Sequence, residues 1–229
     1  MVKFFLILLL VLVVKDVVAQ PFNPQPVRFG LRAGANFSHI DFSRGSLKPP
    51  ISINTNWQPG IVSGFVVVLP IVKNFYFQPE YLFSQMGGKI ENENSQYLIN
   101  YISLPVLFKR QFLNRFYFLV GPQFDLLINA SEKTENNTVS IEKDIEQRSL
   151  ILTGGLEFFF TNNAAVAIRY MHGINHIGLS RETGEQDFKY EGLQFSILYL
   201  FSGSIHFCSK NFKGMYKLNK LTFLFFALI

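Results

Sequence analysis

Phe116-Tyr117-Phe118-Leu119-Val120-Gly121-Pro122-Gln123-Phe124-Asp125-Leu126 alternates with a period of two. Phe116, Phe118, Val120, Pro122, Phe124 and Leu126 form one wholly apolar set, and Tyr117, Leu119, Gly121, Gln123 and Asp125 form the other. Successive side chains of a β-strand point to opposite faces, so this pattern is that of a strand between an apolar and a polar environment.

Seven further segments read the same way: Arg28–Phe37, Gly60–Leu69, Phe75–Met86, Tyr97–Lys109, Arg148–Phe159, Ala164–Gly173 and Gly192–Phe201. With Arg115–Leu127 they make eight. On the apolar parity they contribute 41 positions, none of them charged. At the chain's 16% charged content about six or seven would be expected. The connections alternate between long and short. Ile71–Asn74, Gln111–Asn114 and Thr161–Asn163 are turn-like, whereas 38–59, 87–96, 128–147 and 174–191 are longer and polar. Outer-membrane barrels have short periplasmic turns at one end and longer outside loops at the other.

Alternation alone leaves the barrel's polarity open, because a soluble barrel is apolar within and polar without. The second parity decides it. It is mostly Gly, Ala, Ser, Gln and Tyr, too poor in charge for a water-facing wall and suited to a narrow, filled lumen. The aromatics crowd the apolar parity, as a lipid-facing surface requires. The sequence thus predicts an all-β, eight-stranded antiparallel up-and-down transmembrane β-barrel over residues 28–201, located in the bacterial outer membrane.

The flanking segments fit that compartment. Lys3, the apolar run Phe4–Val14 and the small residues ending at Ala19 have the layout of a secretory signal peptide over residues 1–19. Residues 20–27 form a short N-terminal segment, and 202–229 are expected to be a non-barrel C-terminal extension. The formal charge of +5 arises in these flanks, since residues 20–201 hold as many acidic as basic side chains. No basic patch marks a nucleic-acid interface. The one cysteine, Cys208, lies in the extension.

Several stretches resemble the PorT-like outer-membrane β-barrel proteins abundant in Bacteroidetes. They are Phe29-Gly30-Leu31-Arg32-Ala33-Gly34-Ala35-Asn36-Phe37-Ser38, then Phe77-Gln78-Pro79-Glu80-Tyr81-Leu82-Phe83-Ser84 with Gly87-Gly88, and Tyr101 to Lys109. Gly121-Pro122 and Arg169-Tyr170 through Gly173-Ile174 match as well. The resemblance implies an outer-membrane barrel without fixing its role. It also makes sense of Leu193, Phe195, Ile197, Tyr199 and Phe201, an alternating last strand ending in an aromatic, with Tyr199 and Phe201 as the terminal signal for the barrel-insertion machinery.

The inward parity carries Arg32, Glu80, Asp125, Glu157 and Arg169, with Lys109 and Gln78, Gln123, Thr153 and Gln194 among them. Charges in a narrow lumen must be paired. The expected arrangement is a network in which Arg32 and Arg169 meet Glu80 and Glu157 and plug the lumen. Asp125 is expected higher, toward an outer vestibule.

Catalysis has little to build on. His39 and His176 fall in expected outside loops, and His172 points outward near the outer rim. No serine accompanies a histidine on one strand face, and no third ligand completes a zinc site. No phosphate-binding glycine loop precedes a helix. The expectation is a structural or binding barrel with no catalytic residue, metal or cofactor. Its partners are outer-membrane lipid and, through its loops, an envelope protein. A PorT-like secretion or assembly factor and a lipid-modifying enzyme are the alternatives.

Overall fold

The computed structural model describes residues 26–41, 55–90, 95–134, 138–142, 145–175, 177–181 and 184–201. The signal peptide and the C-terminal extension fall outside the described residues. Eleven strands follow one another among the described residues. They are β1 (Arg28–Asp41), β2 (Thr55–Asn56), β3 (Gln58–Val72), β4 (Phe75–Ile90), β5 (Ser95–Leu113), β6 (Phe116–Lys133), β7 (Thr138–Ser140), β8 (Arg148–Phe159), β9 (Ala164–Gly173), β10 (Ile177–Arg181) and β11 (Gly184–Leu200).

Eight of them close into a barrel in the order β1-β3-β4-β5-β6-β8-β9-β11, with β11 returning to β1. Every neighbouring pair is antiparallel. Closure runs from Gly30 opposite Leu200 to Asp41 opposite Lys189. It continues one residue beyond β11, where the Phe201 N–H donates to the Phe29 carbonyl at 2.7 Å. A closed ladder leaves no strand edge unpaired, the condition for burying backbone in hydrocarbon.

All 41 positions of the apolar parity lie on the outer wall, and none is buried. Phe65 is 62% exposed, Phe118 47% and Phe195 45%. Along β3 the apolar set runs from Ile61 to Leu69. At about 3.4 Å per residue and a tilt of about 40°, such a stretch rises roughly 23 Å, close to the apolar band of about 25 Å on barrels of this class.

Strands outrun the apolar pattern on one side. β4, β5, β6 and β11 extend into segments that read as loops, and β2, β7 and β10 add short pairs there. His39, expected in a loop, lies in β1 opposite Glu191. The reason is that apolar alternation ends where hydrocarbon ends, whereas backbone pairing needs no apolar face and continues into water. At the other end the connections are tight. Val72 pairs with Phe75 across Lys73-Asn74, and Asn74 takes φ 66, a left-handed conformation that asparagine tolerates.

At Gly34 and Gly64 the neighbouring strand comes too close for a side chain. A Cβ on Gly34 would strike the Phe195 carbonyl and lie 2.6 Å from the Ser196 Cα; one on Gly64 would strike the Tyr81 carbonyl and lie 2.7 Å from the Leu82 Cα. Neighbouring backbones fill the space a side chain would need.

Candidate functional site in the barrel lumen

The inward parity meets in three layers. In the middle, Arg169 holds Glu80 in a two-pronged grip, Nη1 donating to Oε2 and Nη2 to Oε1, each at 2.7 Å. Arg32 lies between the two carboxylates, with Nη2 at 2.9 Å from Glu157 Oε2 and 3.3 Å from Glu80 Oε1. Its Nη1 donates to Ser196 Oγ at 2.7 Å. Lys109 Nζ pairs with Glu157 and donates to Gln78 Oε1 at 3.2 Å, while Gln78 Nε2 donates to Glu80 Oε1 at 2.6 Å. These charged side chains are at most 2% exposed.

The ion pairs run Lys109 (β5), Glu157 (β8), Arg32 (β1), Glu80 (β4) and Arg169 (β9). No link joins neighbouring strands, and β4 and β9 stand on opposite sides of the barrel. The lumen is therefore crossed by charge-assisted bonds rather than lined by them. A one-residue slip in any of these strands would turn its charge toward lipid, so the network also fixes register. Bidentate guanidinium–carboxylate geometry adds direction to that constraint.

Arg32, Glu80, Glu157 and Arg169 thus come together in one cluster. Lys109 joins them, although nothing in the local pattern singles it out from other inward polar residues. Its ammonium also lies 4.5 Å and 4.7 Å from the ring centres of Tyr117 and Phe159. Asp125 stands apart. Gln123 Nε2 donates to it at 3.0 Å and Thr153 Oγ1 donates to Gln123 Oε1 at 3.0 Å; among the described residues no cation touches it. Nor does it face an open vestibule, since it is 1% exposed. The vestibule is filled by an apolar layer.

That outer layer packs Ile40, Met86, Ile99 and Met171 of the strands with Tyr101 and Tyr190, whose rings meet edge to face at 6.1 Å. Ile141, Ile145 and Ile177 fold onto it from the outside connections. The Ile141 N–H donates to the Ala130 carbonyl at 3.0 Å, pinning one of these segments. The third layer, at the short-turn end, is Val66, Val68, Phe159, Ala165, Leu198 and Leu200, flanked by Tyr76 and Tyr117. Among the aromatic residues that the sequence offers as candidates for interfacial belts, these two tyrosines pack into the lumen instead. They help line a cup of about 340 Å³ that opens at this end and stops at Lys109.

The described histidine side chains stay away from the lumen charges. His172 lies on the outer wall, stacked on Tyr170 at 6.3 Å, with Nδ1 3.5 Å from Glu191. His39 rests 5.8 Å from the Trp57 ring, and the side chain of His176 is outside the described residues. Among the described residues no three His, Cys, Asp or Glu side chains group to hold a metal.

No curated protein matches the chain significantly. Among solved structures, Neisserial surface protein A (NspA) is similar over 77% of this chain and 100% of its own, at 12% identity and a TM-score of 0.49. The attachment invasion locus protein Ail of Yersinia pestis covers the same shares at 14% identity and a TM-score of 0.45. OprG of Pseudomonas aeruginosa is similar over 80% of this chain and 99% of its own, at 10% identity and a TM-score of 0.40. The family model described as outer membrane protein beta-barrel domain matches residues 18–178, more than half of the chain. The closed antiparallel barrel, its apolar outer wall and this match agree: the chain belongs to the outer membrane protein β-barrel domain family of the bacterial outer membrane.

Proposed function

We propose that this barrel is a non-catalytic binding or structural protein that works through its outward connections, residues 38–59, 87–96, 128–147 and 174–191. The observation that carries this reading is the lumen: the charged middle layer and the apolar layer above it close it, so solute transport is not what the wall is built for. The strands reach beyond the apolar band on the outer side, presenting those connections on a rigid rim. Proteoliposomes containing the protein should show no swelling in sugars or amino acids, and no conductance above protein-free bilayers. Removing the tips of the outer connections, one at a time, should leave the barrel folded and abolish capture of an envelope partner from detergent extracts. Steady solute flux through the intact protein would contradict this function.

The PorT-like stretches favour a more specific form of the same reading, a secretion or assembly factor that acts by contact with other envelope proteins. In that case partner capture should require the chain in its membrane and recover components of a secretion assembly. Unchanged lipid A chemistry in a deletion strain would separate both forms from a lipid-modifying enzyme. Tyr199 and Phe201 fit the role of terminal assembly signal: both are exposed on the outer wall at the strand that closes the barrel.

A further inference from the structure

Charge at the short-turn end is of one sign. Among the described residues of its three turns and their flanks, Lys73, Arg110 and Arg115 are exposed cations, and Arg28 lies at the same end. Among the described residues the one carboxylate nearby is Glu157, buried in the lumen against Lys109. This end is periplasmic in barrels with short turns here and long connections opposite, so it sits level with the phospholipid headgroups of the inner leaflet.

Two adjoining hollows on the outside of this rim bring the cations onto apolar wall. One, of about 780 Å³, is bounded by Lys73 and Arg115 together with Phe112, Phe116 and Phe158. The other, of about 610 Å³, is bounded by Arg110 together with Phe112, Phe118 and Leu156. They share Asn74, Gln111 and Phe112, and the Gln111 N–H donates to the Asn74 carbonyl at 2.8 Å, which ties the two turns into one platform. Phe112, Phe118 and Leu156 are 52%, 47% and 46% exposed, continuous with the lipid-facing wall.

The cations are held without being neutralised. Arg115 Nη1 donates to the Phe160 carbonyl at 3.0 Å, and the Arg110 guanidinium lies 4.9 Å from the Phe75 ring. Neither contact is with an anion, and Lys73 has no ionic partner among the described residues. A ligand for this surface must present an anion at headgroup level and an alkyl chain running up the aromatic wall. We infer that the platform formed by Lys73, Arg110 and Arg115 binds the phosphate headgroup of an anionic phospholipid of the inner leaflet, its acyl chain lying on Phe112 and Phe118. Basic pockets at a membrane surface recognise lipid headgroups in this way.

The test uses the full protein in detergent micelles, titrated with phosphatidylglycerol or phosphatidylcholine and read by native mass spectrometry. The native chain should retain phosphatidylglycerol preferentially. Combined K73Q, R110Q and R115Q should lose that preference by about fivefold for each charge removed, the strength expected of a basic residue near a membrane surface. Combined K89Q, K133Q and R148Q, which removes three charges at the opposite rim, should keep it. K73E alone disturbs no described contact and should fold as the native chain does, yet it should lower phosphatidylglycerol retention. Equal retention of the two lipids by the native chain would overturn the proposal. So would equal loss in the two triple variants, or displacement of the lipid by inorganic phosphate at equal concentration.

Discussion

Replacing Glu157 by Gln is expected to lower the unfolding free energy by about 3 to 5 kcal/mol, the range for removing one partner of a buried ion pair. Glu157 is the carboxylate that Lys109 shares with Arg32. Without its charge, Arg32, Lys109 and Arg169 would face Glu80 alone in the middle layer. The surplus has little access to water: the apolar layer closes the outer end, and Lys109, at the floor of the cup, is 2% exposed. The measurement is a urea titration in lipid vesicles, following the loss of strand signal. Combined E157Q and K109Q restores the charge balance and should recover a large part of the loss. That recovery distinguishes an electrostatic network from packing alone, which two amide substitutions would only worsen. A loss below about 1 kcal/mol for E157Q, within the scale of an exposed pair, would mean that water reaches the cluster.

The second large effect belongs to the outer wall. Phe65 occupies the middle of the apolar set of β3 and is 62% exposed. Phe65→Lys should cost about 2 to 4 kcal/mol in vesicles, as a cation near the bilayer midplane does on a barrel's lipid face. Trp57→Lys should cost about 0 to 1 kcal/mol, because Trp57 lies beyond the end of that set, where charge is tolerated. Both positions are exposed, so a barrel surrounded by water would tolerate either lysine equally. The depth dependence is the signature of hydrocarbon.

Much of this was legible in the chain because a membrane filters residue types by face. Phe118 and Asp125 stand an odd number of positions apart on one strand, and no extended backbone can put both on one side. That parity separated Arg32, Glu80, Glu157 and Arg169 from the lipid wall. It could not say who meets whom. The meeting of Glu80 with Arg169 depends on strand tilt and barrel closure, which bring β4 and β9 across the lumen from 89 residues apart. Lys109 was hidden for the same reason: its partner Glu157 lies two strands away, with no local pattern to link them.

The outer seal was not legible at all. Ile141, Ile145 and Ile177 are single apolar residues within polar connections, and nothing in their spacing indicates that they fold back over Tyr101 and Tyr190. The strand ends on this side are equally silent in the sequence. The period-two signal records the solvent on each face, and past Leu127 or before Gly192 both faces meet water or protein. Backbone pairing went on without leaving a mark in hydropathy.

Spin labels on the outer wall test the central claim most directly. Phe65→Cys, Phe118→Cys and Phe195→Cys, each with Cys208→Ser, would be labelled in vesicles and probed with oxygen, which concentrates in hydrocarbon, and with a water-soluble nickel chelate. All three labels should relax with oxygen and be shielded from the chelate. Relaxation by the chelate at these positions, comparable to that of a label at Trp57, would contradict a wall facing lipid.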